Sequence, residues 1–270
     1  MNKRFSIIIP AYNAEKVIKR VVESVNKQTF RNFEIIVVDD CSKDNTYELS
    51  TNLENVNVKK TPRNSKEGGA RNLGMQIANG EYIIFIDADD FLADENVLER
   101  IDKIIGNDSP DLVYLGFQTL GNGEGKEELW LPTEENSTFK ERARNWKYEV
   151  VWDVCWKADF LKENNIVFEE NKLHPDFPFY YKGILKAKSY KVASFVTHIY
   201  TVQSNTSITS SKVHPGKLKD LYFNVDKCLD MIEEVDEDKK ADFIFAIYRV
   251  VEYSCRVLLQ YEKETKETGK

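Results

Sequence analysis

Tyr82-Ile83-Ile84-Phe85-Ile86-Asp87-Ala88-Asp89-Asp90 is an apolar, β-branched run that ends abruptly in three carboxylates. Such a run reads as a buried parallel strand, and open α/β sheets collect ligands at the carboxyl ends of their strands. Asp87 and Asp89 stand two apart, so on an extended chain they project to the same side and can share one hard cation. The alternative is an Asp-rich turn that caps a helix starting near Asp94.

The pattern recurs. Glu34 to Val38 runs into Asp39-Asp40 and the polar Cys41-Ser42-Lys43-Asp44. Phe5 to Ile9 stops at Pro10-Ala11-Tyr12-Asn13, followed by Val17, Ile18, Val21, Val22 and Val25 at helical spacing. Strand, helix, strand, helix predicts a parallel sheet with one functional edge. Further on, the pattern predicts strands over Val56–Lys60 and Asp111–Phe117, with helices from near Ala70 and over Asn96–Ile105. Gly121-Asn-Gly-Glu-Gly125 reads as a turn, without the strand-loop-helix context of a phosphate-cradling loop.

Composition narrows the function. A chain of 270 residues with 41% hydrophobic and 31% charged residues is long enough for one large domain and an appendage. A net charge of −7, with no basic stripe, speaks against nucleic acid as the partner. Cys41, Cys155, Cys228 and Cys255 are scattered and form no CxxC pair, as expected of reduced thiols in a cytoplasmic protein. No apolar run approaches the ~20 residues of a membrane span, and Met1-Asn2-Lys3-Arg4 leads directly into a strand, so no signal peptide is expected.

Four segments carry a resemblance: Ser6-Ile-Ile-Ile-Pro-Ala-Tyr-Asn-Ala14, Gln28-Thr-Phe-Arg-Asn-Phe-Glu-Ile-Ile-Val-Val-Asp-Asp40, Gly68-Gly-Ala-Arg-Asn-Leu-Gly74 and Gly80-Glu-Tyr-Ile-Ile-Phe-Ile-Asp-Ala-Asp-Asp90. In this order they resemble family 2 glycosyltransferases, continuously over about residues 4 to 117 and more weakly from Trp152 to Thr209. The resemblance implies the GT-A fold: an α/β chain with a mostly parallel, Rossmann-like sheet flanked by helices. Residues 1–212 would form the glycosyltransferase domain, with a nucleotide-sugar half (1–117) and an acceptor half (118–212), and 213–270 a C-terminal helical appendage. The implied reaction is metal-dependent, inverting transfer of a sugar from a nucleoside-diphosphate donor to a saccharide or lipid-linked acceptor, in cell-surface polysaccharide or glycoconjugate synthesis. Family members often work at the cytoplasmic face of the membrane, so peripheral attachment is compatible with this reading.

By the same resemblance Asp89 is the direct ligand of Mn²⁺ or Mg²⁺, with Asp87 toward the ribose and the hydration shell of the ion. A cation is needed because a diphosphate beside these carboxylates meets repulsion of about 4 kcal/mol per like-charged pair at ~4 Å and an effective dielectric of 20. Pro10 and Tyr12 are implied to lie against a pyrimidine, Asp39 or Asp40 to accept from its ring N–H, and Arg71 to come near the nucleotide. Asn13 and Ala88 belong to the same site. A carboxylate acceptor matches uracil and not cytosine, which favours a UDP-sugar. Tyr12 and Arg71 have an alternative reading as packing and ion-pair residues.

The general base of the family is often the Asp of a Glu-Asp pair that opens a helix before aromatics. Ile166 to Tyr181 fits that place and makes Asp176 the candidate, although Pro175 stands where the Glu would be. The alternatives are Asp176 as a helix cap and His174 as a substitute base. Val202 and Gln203 stand where the family usually has an aromatic and an Arg. Trp152 and Trp156 read as core residues or as stacking surfaces for a sugar.

Beyond Pro215, Leu218, Leu221, Tyr222, Val225, Cys228, Leu229 and Ile232, then Phe243, Ile244, Ile247, Val250, Val251, Ser254 and Leu258, mark two amphipathic helices around a Glu233–Lys240 turn, with a frayed tail from Glu262. They pack on the catalytic domain or contact a membrane, a partner or a second copy. Two other functions compete. A sugar-phosphate nucleotidyltransferase would need a Gly-rich, basic loop after the first strand, which Pro10–Asn13 is not. A non-catalytic sugar-nucleotide binding module is suggested by Pro175 and Gln203.

Overall fold

The computed structural model describes residues 3–121, 127–144, 150–202 and 214–268. The glycine-rich stretch 122–125 and the segment from Gln203 to Thr209 lie outside the described residues. In chain order the elements are β1 (Lys3–Ala11), α1 (Ile18–Asn26), β2 (Phe33–Asp39), α2 (Thr46–Thr51), β3 (Val56–Lys60), α3 (Lys66–Ile77), β4 (Gly80–Phe85), β5 (Phe91–Leu92) and α4 (Val97–Ile105). There follow β6 (Leu112–Leu120), β7 (Leu129–Trp130), α5 (Phe139–Arg144), β8 (Val154–Lys157), α6 (Ala158–Glu163), α7 (Asp176–Lys186), β9 (Tyr190–Thr201), α8 (Pro215–Asp230) and α9 (Glu237–Thr268).

Among the described residues the strands form one sheet in the order β3-β2-β1-β4-β8-β6-β9-β5, with β7 on β6. The first four are mutually parallel, so Ala11, Asp39 and the residues after Phe85 come out at the same edge. The α/β class is as expected, but the sheet is mixed. Strand β8 enters antiparallel between β4 and β6, and β6 is in turn parallel to β9.

Alternation along β1 explains the two layers. Ile7 and Ile9 face one core with α1 and α4, while Ile8 faces the other with Ile36, Val38 and Phe85. Each such side chain, fully buried, contributes roughly 1.5–3 kcal/mol. The second core continues through Phe168, Phe179 and Tyr181 to Cys228, Phe243, Ala246, Ile247 and Val250, so the C-terminal helices pack onto the same face as α7.

Three boundaries differ from the sequence reading. Strand β4 stops at Phe85, and Asp87 to Asp90 form a turn closed by the Asp90 N–H donating to the Asp87 carbonyl (3.0 Å). Asp87 and Asp89 therefore do not share a side of an extended strand. Helix α3 starts at Lys66, because Asp40 receives the N–H and hydroxyl of Ser65 and organises the chain before Ala70. Helix α9 runs through Thr268, well past the last apolar position of its pattern, where Gln260 and the Glu and Lys residues of the tail continue it by propensity.

The β6–β9 pairing shifts register around Gly116, where a Cβ would stand 2.4 Å from the Phe195 carbonyl. Such bulges bend a strand and re-aim its side chains, and beyond this one Tyr200 and Thr201 arrive at the acidic turn. His198 is buried between Phe117 and Trp152. The Thr197 hydroxyl donates to the Gly116 carbonyl (2.6 Å), so it accepts from His198 Nδ1 (3.1 Å). Nε2 is then a buried acceptor without a partner, and burial pushes the imidazole down to about 3.

Because the unfolded imidazole titrates near 6.5, the unfolded state takes up a proton that the folded state refuses. Stability present above pH 6.5 is lost as pH falls toward 3. Melting the protein at pH 7 and pH 5 should show the drop, and His198→Phe should lessen it by about 4–8 °C, from roughly 2 kcal/mol of linkage. An equal drop in the variant would place the acid sensitivity elsewhere.

Candidate active site

The parallel strands deliver three loops to one edge: Pro10–Asn13, Asp39–Asp40 and Asp87–Asp90. The adjacent carboxylates Asp39 and Asp40 have different duties. Asp40 is fully engaged, its Oδ1 accepting from the Thr61 hydroxyl (2.7 Å) and from Ser65 N–H (2.9 Å). Asp39 is completely buried, with Oδ2 toward Ser42 N–H (3.3 Å) and Lys60 Nζ (3.6 Å). Its Oδ1 is buried without a partner. Of the pair, only Asp39 presents an acceptor awaiting an N–H. Beside it Pro10 is buried, whereas Tyr12 is 47% exposed and Asn13 takes a left-handed conformation (φ +51°) while accepting from Lys43 N–H (2.8 Å).

At the acidic turn Asp87 and Ala88 are half-buried, and Asp90 is buried. Asp90 Oδ1 accepts from Thr201 N–H (2.8 Å), and its Oδ2 has no partner. Burial, then the charges of Asp87 and Asp89, raise the Asp90 carboxyl well above the usual range. Burial and Asp87 push Asp89 up to about 6. A cation at this turn would lower both energies, so the donor set fits a divalent ion. Among the described residues no three His, Cys, Asp or Glu side chains enclose a metal, so further ligands would have to be phosphate and water oxygens.

Arg71 joins the two halves. It is only 2% exposed, donates from Nη2 to Asp87 (2.9 Å) and from Nη1 to Asp176 (2.5 Å), and lies over the Phe168 ring. Helix α3 can bring it there because Gly68 lets the backbone approach; a Cβ would sit 2.4 Å from the Glu169 carbonyl. Burial raises the Asp176 carboxyl while the Arg71 charge opposes the rise. Glu67, one helical turn before Arg71, is pushed up to about 7 by burial against the pull of Arg71. Asp176 opens α7, as expected, with Pro175 at the cap position. His174 instead lies against Phe177 and Tyr253, and burial pushes it down to about 4.

Three residues that the sequence reading did not name as site residues, Arg20, Tyr200 and Glu67, complete the wall, and Trp152 gains a place beside them. Arg20 donates to the Asp89 carbonyl and to the Thr201 hydroxyl (3.1 Å). Tyr200 stacks on Trp152 (5.2 Å, 20°), and burial with the charges of Asp90, Asp87 and Asp89 pushes its phenol up to about 12, so it stays a hydrogen-bond donor. Glu67 is the third. Only the tertiary fold brings them together. Trp156 is core, its indole N–H donating to the Val151 carbonyl (2.9 Å). Val202 is exposed, and Gln203 lies outside the described residues.

Residues 6–163 match the family described as Glycosyl transferase family 2. The chain is similar to the poly(ribitol-phosphate) beta-N-acetylglucosaminyltransferase TarS of Staphylococcus aureus, 29% identical over 282 residues that cover 97% of this chain and 48% of that protein. It thus spans about half the length of that relative. Its fold resembles the crystal structure of S. aureus TarS 1–349 in complex with UDP-GlcNAc (TM-score 0.69, 23% identity, 99% of this chain and 92% of that one). It also resembles the mannosyltransferase PcManGT from Pyrobaculum calidifontis in complex with GDP-Man and Mn²⁺ (TM-score 0.66, 14% identity, 100% and 76%). At these identities the structures establish a shared fold, that of the GT-A glycosyltransferases.

Removing the central cation tests the site's electrostatics. Arg71→Met leaves Glu67, Asp87 and Asp176 facing one another, at a cost of about 3–5 kcal/mol at pH 8. Burial already raises the Glu67 and Asp176 carboxyls above their unfolded values, so the lost stability should return as pH falls to 5.5 and these two take up protons. A melting deficit that is equal at both pH values would show that Arg71 acts by packing alone.

Proposed function

This chain belongs to glycosyl transferase family 2, and we propose that it transfers a sugar with inversion from a UDP-sugar to a saccharide or lipid-linked acceptor in bacterial surface polysaccharide synthesis. The observation that carries this reading is the Arg71 bridge. One buried guanidinium holds a carboxylate of the acidic turn on one edge and Asp176, 105 residues away in sequence, on the other. A donor-side group and an acceptor-side group are thereby fixed to a common reference, as inverting displacement requires.

In this reading Asp39 Oδ1 receives the uracil imide N–H, with Pro10, Tyr12 and Asn13 forming the neighbouring wall. Asp40 acts indirectly, by anchoring the start of α3. Asp89 would hold a divalent cation, with Asp87 and Ala88 beside the ribose; when bound, the ion supplies Lewis-acid stabilisation of the departing diphosphate. Support for UDP and for a metal comes from the ligands of TarS and PcManGT. Asp176 takes the proton of the acceptor hydroxyl as the new bond to the anomeric carbon forms and the bond to the diphosphate oxygen breaks. Arg71 opposes the rise that burial imposes on that carboxyl. No described helix is long and apolar enough to cross a membrane; with a lipid-linked acceptor, the habit of the family would put the work at the cytoplasmic surface of the bilayer.

Two measurements separate binding from chemistry. With Mn²⁺ present, UDP should raise the melting temperature more than CDP, and Asp39→Ala should abolish the difference; equal shifts in the wild type would reject the uracil assignment. Hydrolysis of UDP-GlcNAc, with water in place of the acceptor, should fall 10²-fold or more in Asp176→Asn while UDP affinity stays within a few-fold. Turnover in that variant close to wild type would sink the base assignment, and tight UDP binding without any hydrolysis by the wild type would favour the non-catalytic module.

A further inference from the structure

We propose that helix α8 is the positioning element of the site: Asp220 and Asn224 clamp the turn Leu173-His174-Pro175 and thereby hold Asp176 against Arg71. This rests on the reading of Asp176 as the base.

The turn cannot hold itself. His174 has φ +55°, a left-handed conformation for a residue with a side chain, and a proline follows it. Such backbone costs of order 1–3 kcal/mol and persists only where its surroundings over-determine it. Here they do. Asp220 Oδ2 accepts from Leu173 N–H (3.0 Å), and Asn224 Nδ2 donates to the carbonyls of Leu173 (2.9 Å) and His174 (2.8 Å). The two residues are four apart on α8 and so lie on one face of it. Asn224 is completely buried, and its Oδ1 has no partner. An apolar residue would avoid that cost, so the amide is retained against its own desolvation while it serves the two carbonyls.

Packing points the same way. His174 lies against Tyr253 of α9, and Phe177 joins Leu218 and Leu221 of α8 with Tyr253, Val257 and Tyr261 of α9. The neighbours of Asp176 thus point into the C-terminal helices, while Asp176 itself turns the other way to Arg71. Asp220 also takes Lys66 Nζ (2.7 Å) from the first residue of α3, the helix that carries Arg71. One carboxylate on α8 therefore references both partners of the Arg71–Asp176 pair.

The test compares Asn224→Leu and Asp220→Leu with Asp220→Asn, which keeps an acceptor for Leu173 N–H. Hydrolysis of UDP-GlcNAc with Mn²⁺ and amide hydrogen exchange are read on each full-length variant. The Leu variants should exchange amides 172–178 at least tenfold faster, with β1 and β4 unchanged. Their kcat should fall tenfold or more with KM within twofold, and Asp220→Asn, which keeps an acceptor for Leu173 N–H but loses the charge opposite Lys66, should lose less kcat than Asp220→Leu. General loss of folding would instead speed exchange everywhere. Exchange at 172–178 that is unaltered overturns the clamp, and faster exchange with kcat within twofold overturns its positioning role. Asp176→Asn is measured alongside: if it hydrolyses as wild type, the base reading fails while exchange still decides whether α8 holds the turn.

Discussion

The buried guanidinium of Arg71 is the constraint on which the site depends. A cation with this little exposure is tolerable only between carboxylates, and a carboxyl as buried as Asp176 needs a cation beside it to offset its desolvation. Each therefore requires the other. Such pairs seldom add net stability compared with apolar residues of the same size. What this one does is specify an arrangement, because the planar fork offers separate edges to Asp87 and Asp176. The surroundings serve that geometry: Asp40 organises the start of α3, Gly68 lets the helix approach the chain at Glu169, and Asp220 ties Lys66 back to α8.

The donor half was legible because its evidence is local. Each of Phe5–Ile9, Glu34–Val38 and Tyr82–Ile86 is an apolar strand ending in polar residues, and parallel order puts those ends at one edge whatever the rest does. Asp176 was legible by its place before a helix of aromatics. Arg71 was read as a nucleotide neighbour or an ion-pair residue, and its partner Asp176 could not be found by spacing, since nothing periodic links positions 105 apart. The antiparallel entry of β8 was hidden for the same reason: Val154–Lys157 is too short to state its direction, which β4 and β6 impose on it.

Adjacent acids illustrate what sequence chemistry leaves open. Asp39 and Asp40 are the same residue type on consecutive positions, so both qualified as base acceptors. Backbone direction sends them to different surroundings. Asp40 meets Thr61 and Ser65 and is consumed by them, whereas Asp39 keeps a bare oxygen. At the acidic turn the mistaken premise was an extended chain. The turn after Phe85 keeps Asp87, Asp89 and Asp90 within electrostatic reach of one another, and the price is visible in the raised carboxyls of Asp89 and Asp90.

Under the proposed function, that electrostatic cost sets how the donor can enter. The turn has three acids, and the nearest cations are already committed: Arg71 to Asp87 and Asp176, Arg20 to the Asp89 carbonyl and Thr201. A diphosphate arriving alone would meet repulsion of about 4 kcal/mol per like-charged pair at ~4 Å and an effective dielectric of 20. With a divalent cation the same carboxylates become attractive, and relief of the Asp89 and Asp90 desolvation adds to the binding energy. Affinity for the nucleotide should therefore be strongly coupled to the cation, and by linkage affinity for the cation equally coupled to the nucleotide. In the proposed reading selectivity for the base does not share in this coupling, because Asp39 lies on β2, a separate strand whose bare oxygen needs an N–H and not a metal.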